Sequence, residues 1–387
     1  VKFIHRTFLV AAFLLLTKLV SAQVPELIKK EEFRKDAQAA VDSLYNFNPA
    51  GADKRLASWK DHYPRHPLWQ LMEGMEFWWI LLSDLNDTSR DEYFFKMMAR
   101  ADYAASELLY NQPGHADGLI IKTVANGYIA RQHSNRDEWV TSLNAARKAY
   151  KSYGYLQDAS FNLADLKLAK GLKLYYSEYL PKAYPVVKSV SWFLPEGDKK
   201  AGLQFLEEAA ETAVFARGEA AYFLGNINYN YEKNYDEAAG YFQSLYNNYP
   251  NNNYYARLLV KNYYKMGRYD DAMTVVEDAL ERWKTKELPF QKVVEESMNF
   301  WKGRILYRDR DYERALPLFK KSHAISRSLP AAKQRDYYIA AAYYAGQCHK
   351  LLGDDKRAIA YYKKVLNAKA GDEYKKLSRG FIEKLRK

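Results

Sequence analysis

His62 and His66 stand four residues apart in "HYPRHP", a spacing at which two imidazoles on a helix could share a divalent metal. Pro64 and Pro67 argue against a regular helix there, and no third ligand is near in sequence, so the pair reads as a solvated turn between helices. Cys348 and His349 are adjacent, so on a helix their side chains diverge by roughly 100°; Cys348 reads as a packed thiol rather than an activated nucleophile. Glu207, Glu208 and Glu211 could pair carboxylates for acid–base work, but a wet helix face explains them equally simply. No phosphate-cradling GxxxxGK, no GxSxG elbow and no HExxH occurs. The residues therefore nominate no catalytic group, no cofactor site and no metal site, and the expectation is a protein that is not an enzyme.

What remains is an architecture. The 387 residues suffice for two ordinary domains or one elongated array. Nearly half are apolar and 27% are charged, which suits a folded chain, and sparse Gly and Pro favour helices. Tyrosine is abundant, at 34 residues, and its ring buries well while its hydroxyl stays wet. One cysteine means no internal disulfide. The net charge of +12 suits an acidic partner, yet the cations are interspersed with acids as on a solvated helical surface. No nucleic-acid reading module accompanies the charge.

The chain opens "VKFIHRTFLVAAFLLLTKLVSAQV". Lys2 and Arg6 precede a short apolar run, Phe8 to Leu16, and Val20-Ser21-Ala22 offers small residues for cleavage before Gln23. The run is too short to span the ~30 Å of a bilayer core. A cleaved secretory signal over residues 1–22 is expected, with no integral membrane span afterwards and a periplasmic or secreted destination. The alternative is an uncleaved anchor or a buried first helix. The "SAQ" junction resembles leaders common in Bacteroidota. Removing the leader's three cations from +12 leaves +9.

Further on, one phrase recurs: "YDEAAGYFQSLYNNYP" from Tyr235, "YDDAMTVVEDALERW" from Tyr269, "YERALPLFKKSHAI" from Tyr312 and "DDKRAIAYYKKVL" from Asp354. Aligned on Ala238, Ala272, Ala315 and Ala358, the steps are 34, 43 and 43 residues, a period of stacked supersecondary units. Gly225, Gly303 and Gly346 precede three of these alanines, and Val260 takes that place in the second unit. Phe242, Phe319 and Tyr362 follow, Val276 replaces the aromatic in the second unit, and Pro250 closes the first. Turn signals lie between the helices of each pair: "KMGRYDD", "RDRDYE", "LLGDDK".

This pattern resembles the tetratricopeptide repeat over residues 218–366, despite an extra residue in "NYEKNY" and later units about nine residues too long. The resemblance implies an all-α, right-handed superhelical solenoid of antiparallel helix pairs. It also implies a concave groove lined by the first helix of each pair. Carried over, the family's groove positions fall on Tyr222, Asn226 and Tyr229; on Tyr254, Arg257, Lys261, Tyr264 and Lys265; on Phe300, Arg304, Tyr307 and Arg308; and on Tyr343, Gln347 and Lys350. The family's carboxylate clamp is not reproduced, since Tyr222 stands where its lysine belongs. The set is basic and aromatic with no acid, which suits a protein or peptide partner of acidic character. The alternative is a groove partly filled by the chain's own helices.

The N-terminal half is less regular. Gly74, Gly127 and Gly171 sit in stretches that look like first helices of pairs, at irregular spacing. They read as lengthened, degenerate repeats, or else as an unrelated helical bundle. "PKAYPVVKSVSWFLP", Pro181–Pro195, is either an exposed contact patch or a packed connector. The expected organisation is a signal over 1–22, an N-terminal helical region over 23–195, a repeat array over 196–370 and a capping helix over 371–387. The function expected is an exported interaction scaffold in the cell envelope. An enzyme with dispersed catalytic residues, or a structural envelope component, remains the alternative.

Overall fold

The turn inside each repeat unit is set by local chemistry. After the first helix, one residue takes the left-handed conformation: Lys233 (φ 59°), Gly267 (79°), Arg310 (64°) and Gly353 (80°). The next N–H then reaches back five residues, from Arg268 to the Tyr263 carbonyl (2.9 Å), Asp311 to Leu306 (3.0 Å) and Asp354 to His349 (2.8 Å), satisfying carbonyls the helix leaves open. Asn234, Asp311 and Asp354 also cap the second helix by accepting from Glu237, Arg314 and Arg357 N–H. In the first unit the reach is one residue longer, Asn234 to Asn228 (2.9 Å). The extra residue of "NYEKNY" is taken up in a π turn over Asn228–Glu232. The five-residue turn recurs far upstream, at Phe47 (φ 53°) with Asn48 N–H on Ser43 and at Asp137 (58°) with Glu138 N–H on His133.

The computed structural model describes residues 23–158, 163–188, 196–285 and 291–385. The signal stretch 1–22 lies outside them, as does the second part of the Pro181–Pro195 patch, residues 189–195. The helices are α1 (Glu31–Tyr45), α2 (Pro49–His62), α3 (Leu68–Ser83), α4 (Asp91–Asn111), α5 (Ala116–Asn135), α6 (Trp139–Asp158) and α7 (Leu166–Ala183). They continue with α8 (Lys199–Thr212), α9 (Arg217–Ile227), α10 (Tyr235–Asn248), α11 (Asn253–Met266), α12 (Tyr269–Lys284), α13 (Gln291–Arg308), α14 (Tyr312–Ser328), α15 (Asp336–Leu351), α16 (Asp355–Leu366) and α17 (Asp372–Lys384). Consecutive helices pack on one another to form an all-α solenoid, with no strand among the described residues. None of the described helices is long and apolar enough to cross a membrane.

Within the repeats the small residues sit where helices meet. A Cβ on Gly225, Gly303 or Gly346 would stand 2.5, 2.9 or 2.7 Å from a ring carbon of Phe242, Phe319 or Tyr362. Ala238, Ala272, Ala315 and Ala358 are all fully buried. Upstream, Gly171 of α7 comes equally close to Leu206 of α8, whereas Gly127 has open space where its Cβ would be.

The two halves also meet across long stretches of sequence. Asp42 accepts from the Tyr249 hydroxyl (2.7 Å), Asn46 from Asn251 N–H (2.9 Å), and the Tyr45 carbonyl from the Asn252 amide (2.8 Å). Trp79 of α3 sets its ring edge-on to Tyr255 of α11 at 5.9 Å. One apolar core joins residues of α1–α5 to residues of α9–α13, from Leu27 to Ile305, while Tyr175 of α7 and Leu206 of α8 pack into a smaller core. The first helices therefore lie against the repeat array.

Candidate functional site

The chemistry-bearing residues that the sequence singles out find structural employment. His66 is buried, with Nδ1 accepting from Leu68 N–H (3.2 Å) and Nε2 lying 3.1 Å from Asp117 Oδ2. His62 is exposed and contacts the Ser58 carbonyl instead, so the two rings do not converge. Asp117 itself accepts the Leu27 and Ile28 N–H groups (2.6 and 3.1 Å), pinning the segment before α1 to the start of α5. Cys348 is fully buried, and burial pushes its thiol up to about 12; His349 turns away to stack on Tyr361 at 5.5 Å. Glu208 pairs with Lys167 (3.1 Å). Burial, then Glu237 and Glu211, raise the Glu207 carboxyl.

The candidate groove divides into two parts. At one end the chain's own helices fill it. Tyr222 and Tyr254 join hydroxyls (3.2 Å), and the Arg131 guanidinium of α5 lies 4.2 Å over the Tyr222 ring while paired to Glu219 (2.6 Å). Arg257 donates to the Ser83 carbonyl at the end of α3 (2.8 Å). Next to it Arg335, 1% exposed, donates to both oxygens of Asp84 (3.0 and 2.9 Å) and to Glu296 from Nε and Nη2 (2.8 and 2.7 Å). A single arginine, itself 251 residues along the chain from Asp84, thus ties the end of α3 to α13.

Two further candidates leave the groove for the core. Phe300, 4% exposed, packs against Phe319 and Tyr337, and Tyr343, 8% exposed, against Tyr374 of α17 and Tyr362. The carried-over positions assume a bare inner face, whereas here α17 and the α15 aromatics cover it. Arg308 turns toward the preceding unit, 3.9 Å over the Tyr269 ring and paired to Asp309 (2.8 Å). Tyr307 is half-buried against Tyr312 and Tyr344.

The rest stays open. Lys261 and Lys265 are exposed, with ammonium groups 5.0 and 5.8 Å from the centres of Tyr229 and Tyr235. Asn226 is half-buried and donates to the Tyr222 carbonyl (2.8 Å). The Arg304 guanidinium lies between the rings of Tyr344 (4.2 Å) and Tyr264 (4.9 Å), donating to the Tyr264 hydroxyl (2.9 Å), and its buried Nε has no partner. Among the described residues, Lys261, Lys265 and Arg304 have no ion pair. Desolvation within this concavity lowers the Lys261 ammonium, opposed by Asp336 at the start of α15. Sequence reasoning missed Arg131, Tyr344 and Asp336, which lie off the carried-over positions. The open surface offers flat rings and unpaired cationic donors, equipment for gripping carboxylates beside apolar side chains.

Models of the tetratricopeptide repeat match residues 230–282, 257–330 and 294–370. No curated protein matches the chain. Among solved structures, similarity is found to NprR in complex with its cognate peptide NprX (12% identity, 92% of this chain and 82% of that one, TM-score 0.36). It is found also to a human IFIT1 dimer with PPP-AAAA (13%, 88% and 85%, TM-score 0.32) and to yeast Tom70 (13%, 93% and 89%, TM-score 0.29). Over residues 230–370 the chain is thus similar to the tetratricopeptide repeat.

Proposed function

We propose that this chain is a non-catalytic scaffold, exported to the cell envelope, that holds an acidic segment of a partner protein on the open surface around Lys261, Tyr264, Lys265 and Arg304. The observation that carries the reading is the absence of ion pairs at three clustered cations, on a surface otherwise furnished with tyrosine rings. Like charges left together without ion pairs cost folding energy, and an anionic partner would relieve it. Export rests on the leader and its small-residue junction.

The test is anisotropy of a labelled peptide alternating Glu with Leu and Phe. A hydrogen bond to a charged group contributes about 1.5–3 kcal/mol. Reversing both Lys261→Glu and Arg304→Glu should therefore weaken binding at least ~100-fold with helicity intact. Binding should also fade as salt shortens screening to ~3 Å at 1 M. Unchanged affinity in the double variant rejects the site. Intact mass of the envelope fraction tests export, with Gln23 expected as the first residue.

A further inference from the structure

A second cationic site lies away from the groove, between the outer helices of the last two units. On α14, Lys320, His323 and Arg327 recur at i, i+3 and i+7, one face of the helix. On α16, Arg357, Tyr361 and Lys364 recur at i, i+4 and i+7. His349 of α15 lies between these walls. Its ring stacks on Tyr361 at 5.5 Å, His323 approaches the same ring at 6.3 Å, and the Lys364 ammonium sits 3.8 Å above it.

The polar inventory of this cleft is incomplete as it stands. Lys320 and Arg327 are exposed, Lys364 is half-buried, and among the described residues none of the three has an ion pair. The one acid present, Asp354, is already spent: it pairs with Arg357 (3.0 Å), caps α16 and lies 3.7 Å from His349 Nδ1. Both histidines are more than nine-tenths buried, and both leave Nε2 without a partner. His323 Nδ1 faces the Tyr338 carbonyl (2.9 Å), which can only accept, so Nε2 presents a bare lone pair. The charges acting on the His323 ring are those of Lys364 and Arg327. Buried polar atoms without partners are few in folded proteins and ask for a reason.

We propose that this cleft binds a phosphoryl group. Lysine and arginine donate to its anionic oxygens, and the bare His323 nitrogen, closed to solvent in the unliganded chain, accepts from a protonated one once the long Lys364 and Arg327 side chains rearrange onto the ligand, a combination that a fully ionised sulfate or carboxylate does not use. The Tyr361 ring is covered by His349 and Lys364, so recognition rests on charge and hydrogen bonds rather than apolar contact.

The test is calorimetric titration of the full chain with inorganic phosphate and pyrophosphate, against chloride at matched ionic strength. Saturable heat is expected, weakened about tenfold or more in the Arg327→Glu/Lys364→Glu variant and retained in Lys261→Glu/Arg304→Glu. Arg327→Gln alone serves if the double variant loses helicity. Sedimentation with phosphatidylglycerol vesicles, against phosphatidylcholine, separates the sources. Heat without sedimentation assigns a soluble phosphate, and charge-sensitive sedimentation without heat assigns a lipid headgroup. Neither signal, or signals indifferent to the α14–α16 charges, overturns the proposal.

Discussion

Replacing Arg335 with methionine should be among the most damaging single changes in this protein. Its guanidinium satisfies two carboxylates at once, Asp84 from α3 and Glu296 from α13, through four contacts of 2.7–3.0 Å, and a fifth N–H contact reaches the Pro330 carbonyl (3.2 Å). All three charged groups are nearly or wholly excluded from water. Methionine fills the stem's volume but leaves two buried carboxylates uncompensated; Glu296 keeps the Ser326 hydroxyl (2.5 Å) and Asp84 only the Asn86 N–H (3.2 Å). Breaking such a buried arrangement costs about 3–5 kcal/mol. Arg268→Met, at the exposed pair with Asp271, should cost no more than ~1 kcal/mol. Urea unfolding followed by circular dichroism measures both. The triple variant Arg335→Met/Asp84→Leu/Glu296→Met should recover most of the loss, because a packed apolar replacement removes the stranded charges. A shift below ~1 kcal/mol for Arg335→Met would refute the claim that this arginine locks the two halves together.

Ala315→Leu should cost ~1–3 kcal/mol, because α13 and α14 leave no volume there, while Lys320→Leu on the exposed face stays nearly silent; a thermal scan separates them. Burial holds the His323 imidazole down to about 4, below its ordinary value, so the folded state resists protonation there. Its contribution is present above pH ~6.5 and is lost as pH falls toward 4, on the order of 3 kcal/mol in all. His323→Phe should flatten the stability–pH profile over that window, and an unchanged profile rejects the assignment. Asp117→Ala should free the segment before α1 by removing the acceptor of Leu27 and Ile28 N–H. Limited proteolysis near residue 30 should quicken, with a stability loss of roughly 2–4 kcal/mol.

Some elements were legible because they are local. A left-handed residue makes a hairpin within six residues, joined by a capping aspartate in "RDRDYE" and "LLGDDK" though not in "KMGRYDD". The glycine-to-aromatic approach spans two helices of one unit, so it leaves a nearly constant spacing that a single sequence displays. The upstream turns at Phe47 and Asp137 obey the same geometry with neither glycine nor constant period, which is why the N-terminal hairpins were only half readable.

The amino-acid sequence by itself determined the helix pairs, their turns and the alanine and glycine contacts of the repeats, because each depends on neighbours within a few tens of residues. Only the tertiary structure decided which groove residues remain open. Ser83 against Arg257, Asp84 against Arg335 and Arg131 against Tyr222 are meetings across about 90–250 residues, and such contacts leave no period to read. Nothing in the local chemistry of Arg257 distinguishes it from Lys261. One is held by a carbonyl that the fold delivers to it, and the other faces water.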